Sequence, residues 1–250
     1  MRKTFKSLFV ATAIAMASFA YADTAPVGST LVPQASNYAD ESGKVVVQQF
    51  LWNKCIHCFH LDPLVDEWEK KNADYITFER IPVGWGKSNL DDGAYYNYAK
   101  VLKKTGKATD EDLSKINADL FNLVFVKKQE LNATNAFPIF QKYGIDSPES
   151  LEKLMNSFVA SSERNKSQKL TKDYGVNGVP VFVVAGKYMV SFSTIGDDAT
   201  PEKLFSVIDR IAKSEHDATL KVSDSPKSDV KIDPNVSSKQ LDSKPVESIK

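Results

Sequence analysis

The sequence predicts an α/β fold: a small mixed sheet, interrupted by a long all-helical insertion and followed by a disordered C-terminal tail. Three observations carry this. Residues 45–83 read as strand, amphipathic helix, strand; residues 90–174 show only helical periodicity; residues 181–211 return to short apolar strands and a closing amphipathic helix. A strand–helix–strand unit with the usual right-handed crossover has parallel strands. The expected organisation is therefore a leader over 1–22, an α/β domain from 23–87 and 175–213, a helical insertion over 88–174 and a tail over 214–250.

The chain opens on the basic stretch MRKTFK, continues into the apolar run SLFVATAIAMASFA and reaches Ala20-Tyr21-Ala22. This is the three-part layout of a secretory signal peptide, with cleavage expected after Ala22; the apolar run is too short to span a bilayer comfortably. Removing Arg2, Lys3 and Lys6 takes the 32 basic residues to 29 against 32 acidic. With no basic patch, nucleic acid is not expected as a partner.

Residues 29–34 read as an edge strand and 40–44 as a turn. Val45, Val46, Val47, Phe50, Leu51 and Trp52 form an apolar run, the mark of a buried strand. A helix follows over 55–71, with Leu61, Leu64, Val65 and Trp68 at helical spacing; Pro63 inside it removes one hydrogen bond and should kink it. Alternation over 75–83 gives the next strand. In the insertion, Tyr95, Tyr98, Val101 and Leu102 mark one helix, and a second starts at Thr109, a cap followed by three acids. Phe137, Ile139, Phe140 and Tyr143 mark a third. A fourth starts at Ser147-Pro148 and carries Leu151, Leu154, Phe158 and Val159. A last one runs to about Asp173. Gly178-Val179-Pro180 then leads into strand 181–184, a tight turn at 185–187, a pairing strand over 188–194 and a helix beginning at Thr200-Pro201. Residues 214–250 are polar, with apolar residues scattered without period, which predicts disorder.

The chain's two cysteines, Cys55 and Cys58, fall where the first buried strand gives way to its helix. Three residues apart, both sulfurs lie on one helix face. Cys55 sits by the free N–H groups and positive dipole end of the helix, which favour a thiolate. His57 and Lys54 can add positive charge. Cys58, a turn inside, is expected to be buried. The reading is one attacking or attacked sulfur, Cys55, and one resolving sulfur, Cys58. As a structural staple the pair would close only a four-residue loop and stabilise little. As a zinc half-site it lacks a second cysteine pair, and only His57, His60 and His216 could supplement it. A c-type haem needs histidine where Phe59 stands. No metal and no cofactor beyond the cysteine pair is expected, and export would place that pair in an oxidising compartment.

The segment FLWNKCIHC at 50–58, Gly178-Val179-Pro180 and the signal peptide together resemble the DsbA family of periplasmic thiol:disulfide oxidoreductases, over roughly residues 29–213. The resemblance implies a thioredoxin fold carrying a helical insertion. By position, Cys55 matches the family's accessible nucleophile, Cys58 its buried partner and His57 the histidine that favours the Cys55 thiolate. Pro180 matches a proline that is cis beside the disulfide and leaves the Val179 backbone free to pair with an extended substrate chain. The implied activity donates a Cys55–Cys58 disulfide to reduced or unfolded exported proteins in the periplasm. The implied reoxidant is a DsbB-type inner-membrane, quinone-linked oxidase. The short segment before the first core strand leaves no dimerisation domain, so a monomer is expected. A reductase or isomerase of the same fold, or a chaperone-like module for unfolded chains, are the alternatives. Two positions depart from the family: Ile56 stands where proline is common, and Gln49, read as a satisfied strand residue, stands where a buried acid is common.

Overall fold

The computed structural model describes residues 24–36, 40 and 42–223. The expected leader and most of the expected tail lie outside these residues. The elements run β1 (Thr30–Leu31), β2 (Val45–Leu51), α1 (Ile56–Asn72), β3 (Ile76–Pro82), α2 (Lys87–Lys104), α3 (Asp110–Phe125), α4 (Ala133–Gln141), α5 (Pro148–Met155), α6 (Phe158–Asp173), β4 (Val181–Val184), β5 (Tyr188–Ser191) and α7 (Pro201–Ser223). The sheet order is β1-β5-β4-β2-β3. β2 and β3 are parallel, as the crossover rule requires, and β4 and β5 form the antiparallel hairpin.

Alternation along the strands sends side chains to two covered faces. Val45, Val47, Phe182 and Val184 meet Leu61, Val65 and Trp68 of α1 and Leu204, Ile208 and Ile211 of α7. Phe50, Ile81, Val181 and Val183 meet Leu170 of α6 and Tyr174 just beyond it, with the Tyr174 ring edge-on to Phe50 at 6.0 Å. The last helix of the insertion is thus the second layer of the sheet. The rest of the insertion has its own core around Tyr98, Ile116, Leu120, Phe140 and Leu151.

Local chemistry explains most boundaries. Thr109 and Asp112 form a reciprocal capping box at α3, and Ser147 caps α5 with Pro148 in its first turn. The three-residue β4–β5 connection places Ala185 and Gly186 at φ 54° and 65°, the left-handed centre of a turn closed by the Lys187 N–H donating to the Val184 carbonyl at 3.0 Å. Gly186 is required twice over, since a Cβ there would stand 2.3 Å from the Ser36 carbonyl. α1 passes through Pro63 without interruption, with the proline on its exposed side.

Two expectations are corrected. The stripe Leu151, Leu154, Phe158, Val159 is not one helix: Ser157 accepts the Ala160 N–H at 3.3 Å and starts α6. Phe158 is consequently 88% exposed. The closing helix also runs on to Ser223, past the boundary at 213. It is held there by a Glu215–Lys187 ion pair at 2.9 Å and by the His216 ring lying 6.0 Å from Tyr75.

Candidate active site

β2 ends at Leu51, and a tight loop carries the chain to Cys55, whose N–H donates to the Trp52 carbonyl at 2.8 Å. Cys55 is the N-cap of α1, with extended backbone at φ −93° and ψ 115°. Its Sγ takes the place of the usual capping oxygen, accepting the Cys58 N–H at 3.4 Å. On its other side it meets the Val179 carbonyl, to which the thiol donates at 3.6 Å. Both cysteines are free thiols. Cys58 is fully buried against Leu51 and Phe121, with Phe59 and Phe125 closing the cluster.

One turn of helix separates opposite electrostatics. The Cys58 thiol donating to Cys55, with backbone N–H groups of Cys58 and His57 and the charge of His57, lowers Cys55 to about 6 against the opposition of partial burial. Burial pushes Cys58 far above the ordinary thiol range, and its hydrogen bond to Cys55 and the nearby Cys55 and Asp62 charges push the same way. At neutral pH the pair is one thiolate and one thiol.

His57 is where the sequence places it, exposed beside Cys55. Lys54 is not the charge donor it was expected to be: its Nζ pairs with Asp92 at 3.0 Å. Asp92, on α2, is nearly buried and also accepts the Trp52 indole N–H at 2.9 Å. It clamps both ends of the three-residue approach to Cys55, a role that nothing in its sequence neighbourhood signals.

Val179-Pro180 is a cis peptide bond and, with His57, borders a groove of about 510 Å³ whose far wall is formed by Thr30, Met189 and Phe192. The three histidines do not converge: His57 faces this groove, His60 tilts on Phe59 at 5.4 Å and His216 lies by Tyr75. Among the described residues no three His, Cys, Asp or Glu side chains come together as a metal cradle.

Behind Cys58 lies a buried polar cluster that the sequence reading missed. Asp62, one turn along α1, accepts from Asn117 Nδ2 of α3 at 2.7 Å, and Asn117 in turn accepts from Asn53 Nδ2 at 3.1 Å. Arg80 of β3 lies 3.6 Å from Asp62, pairs with Asp66 and reaches Glu69 at 3.5 Å. Burial raises the Asp62 carboxyl to about 6, with Arg80 opposing and Asp66 adding to the rise. Gln49 is in register with Arg80, so both side chains face α1. Contrary to expectation Gln49 is not satisfied: Gln49 Oε1 and Asn53 Oδ1 are buried without a donor.

A family model described as a DSBA-like thioredoxin domain matches residues 73–200 of this chain. That span takes in the insertion and Val179-Pro180 and begins downstream of the cysteines. The thiol:disulfide interchange protein DsbA of Burkholderia cepacia is 33% identical over 148 residues, 59% of this chain and 66% of that protein. Its namesake in Pseudomonas aeruginosa PAO1 is 27% identical over 226 residues, 86% of this chain and 100% of that protein. A crystal structure of Pseudomonas aeruginosa DsbA superposes with a TM-score of 0.64 at 23% identity, covering 79% of this chain and 96% of that one. Reduced DsbA1 from Neisseria meningitidis superposes with a TM-score of 0.61 at 22% identity, covering 78% and 95%. These structural likenesses speak for the fold.

Proposed function

The chain belongs to the DSBA-like thioredoxin family and is a disulfide oxidoreductase; on that premise we propose that it is an oxidant, giving a Cys55–Cys58 disulfide to reduced protein substrates. The observation that carries this is the asymmetry of the two sulfurs, an accessible one favoured as thiolate and a buried one favoured as thiol. A disulfide whose reduced form is stabilised gives itself up readily, and the helix N-terminus stabilises the reduced form through Cys55.

A substrate thiolate attacks Cys55 Sγ, the S–S bond breaks and its electron pair passes to Cys58. A second substrate thiolate then attacks the substrate sulfur of the mixed disulfide, and Cys55 leaves as thiolate. His57 and the α1 N–H groups hold that charge. The Val179 backbone, beside the Cys55 sulfur, is suited to pair with an extended segment of substrate, and the groove beyond takes its side chains. A complex structure of a cysteine-to-serine variant of Proteus mirabilis DsbA holds a non-covalently bound peptide, which supports a polypeptide as occupant here. The substrates we assign are reduced or unfolded exported proteins in the periplasm, reached by cleavage after Ala22. A DsbB-type quinone-linked membrane oxidase is the reoxidant we assign, with the protein acting as a monomer.

The test is equilibration of mature protein with glutathione, the two thiols being trapped and counted, alongside oxidation of a reduced dithiol peptide. The oxidant reading expects Cys55 and Cys58 to be reduced at glutathione ratios that leave ordinary structural disulfides intact, and Cys55→Ser to have no exchange activity. A pair that stays oxidised under those ratios would instead make the protein a reductant or isomerase; undiminished exchange by Cys55→Ser would remove Cys55 from the reaction.

A further inference from the structure

β3 is the outer strand of the sheet, paired with β2 on one side only. The Tyr75 carbonyl accepts the Val45 N–H and the Val83 N–H donates to the Leu51 carbonyl, so the odd-numbered residues bond to β2. The backbone groups of Ile76, Phe78 and Arg80 therefore point outward. The N–H and C=O groups of Phe78 and Arg80 meet no hydrogen-bond partner among the described residues. The two ends of this edge differ. Pro82, next in the outward series, has no N–H to leave unpaired, and α2 closes on it: a Cβ on Gly93 would stand 2.7 Å from the Pro82 Cβ. Toward Tyr75 the strand is half-buried at Thr77, Phe78 and Glu79 and borders a cleft of about 230 Å³ between the sheet and the insertion. Phe78 and Leu113 give the cleft an apolar wall. The Glu79–Lys166 and Glu163–Lys104 ion pairs give it a charged one. An open strand edge of this kind is a template for another strand.

We propose that the chain's own C-terminal tail fills this cleft: residues 229–233, Asp-Val-Lys-Ile-Asp, lie along the outer edge of β3 as a further, parallel strand of the sheet. Position supports it. α7 leads to the open end of the edge, since Asp209 accepts from the Tyr75 hydroxyl and the His216 ring lies 6.0 Å from that of Tyr75, just before β3. Residues 217–223 carry the helix about 10 Å further. Residues 224–228 reach up to about 17 Å when extended, enough to turn back to Tyr75. A chain entering the cleft from there runs in the direction of β3. Pattern supports it too. Among the aliphatic residues of 224–250 only Val230 and Ile232 stand two apart, the strand period, and Pro234 stops the run directly after Asp233.

Charge fixes the register. With Val230 beside Phe78 and Ile232 beside Arg80, both aliphatic side chains fall on the Leu113 side of the cleft. Lys231 then stands beside Glu79, an opposite-charge pair across strands. Asp229 and Asp233 flank it on the side of Lys104 and Lys166. The same register satisfies the edge. The Phe78 N–H donates to the Asp229 carbonyl and the Arg80 N–H to the Lys231 carbonyl; the Lys231 and Asp233 N–H groups donate to the Phe78 and Arg80 carbonyls. The tail thereby blunts an edge that would otherwise pair with other chains. For a protein that acts on unfolded polypeptides, this keeps extended segments from pairing away from Cys55.

The experiment is amide hydrogen exchange, read residue by residue by NMR on the full mature chain in its reduced form, at two protein concentrations. The Lys231 and Asp233 amides should exchange about tenfold or more slowly than those of residues 240–244. Lys231→Pro removes the N–H that meets the Phe78 carbonyl. It should return Asp233 to the rate of residues 240–244 and speed exchange at Phe78 and Arg80 about tenfold. Ser238→Pro, beyond the proposed strand, should change neither. Lys231 and Asp233 amides that exchange as fast as residues 240–244 in the wild type overturn the proposal. So does slow exchange there combined with Phe78 and Arg80 amides that ignore Lys231→Pro. Protection that falls on dilution gives the edge to a second copy of the chain. Protection of Phe78 and Arg80 that appears only when reduced, unfolded ribonuclease A is added gives it to substrate. Either result also removes the tail as occupant.

Discussion

Cys55 and Cys58 are separated by a single turn of α1, yet they occupy different solvents. Cys55 hangs on the end of the helix, where N–H groups point outward and the groove opens beside it. Cys58 looks inward at Leu51 and Phe121. The difference comes from everything around the motif rather than the motif itself: the dipole acts on the first residue, α3 packs over the second, and α2 fixes the loop before both. Two chemically identical side chains are thereby given opposite roles.

The strongest way to break this comparison is to titrate both thiols by alkylation of the reduced native protein. Cys55 should react with half-maximal rate near pH 6, and Cys58 should stay unreactive until the protein unfolds. Equal rates would end the assignment of roles. The sign of the linked stability follows. Cys55 is lower in the folded reduced state than the ordinary 9.0. Reduced protein should therefore gain stability over oxidised protein as pH rises from about 6 to about 9. The gain is fully present above that range and is lost as pH falls through 6; thermal melts of both forms across the range read it directly.

Phe121→Ala attacks the inward side. It removes a ring packed under Cys58 and should cost about 3–5 kcal/mol, measurable by urea unfolding. Water admitted to the cavity should bring Cys58 into alkylation range while leaving the Cys55 titration in place. A smaller effect is expected from Asp92→Asn, which weakens the hold on Lys54 and Trp52 at a cost of about 1–3 kcal/mol. If Asp92 only positions the loop, the Cys55 half-point should move little. A large move would mean that Lys54 is returned to Cys55 once released, sharpening the account of where the thiolate gets its charge.

What was legible in the sequence was local. A strand run, a helical stripe and the spacing of two cysteines are written in consecutive residues, and so is the Thr109 cap. Val179 and Pro180 were legible only because they resemble a known pattern; nothing in their own neighbourhood ties them to a cysteine 124 residues away. Asp62, Asn117, Arg80 and Asp92 carry no local mark, because their meaning lies in contacts between separate elements. The α5–α6 break was misread for a different reason. Leu154, Phe158 and Val159 fall at helical spacing, and that apolar pattern outweighed Ser157, whose side chain ends the register. Residues 214–223 were read from polar composition, which does not show that Glu215 and His216 have partners waiting on the sheet side.

The insertion looks dispensable when the chain is drawn as a line, since β3 and β4 flank it and could be joined. The packing of Leu170 and Tyr174 over Phe50, Ile81 and Val183 removes that option. A shortened chain would leave one whole side of the sheet facing water, at roughly 1.5–3 kcal/mol for each large apolar side chain uncovered. The β2–β4 pairing joins segments more than a hundred residues apart, a non-local contact of the kind that slows folding. Synthesis from the N-terminus thus presents both thiols before the helices and the hairpin that shelter them.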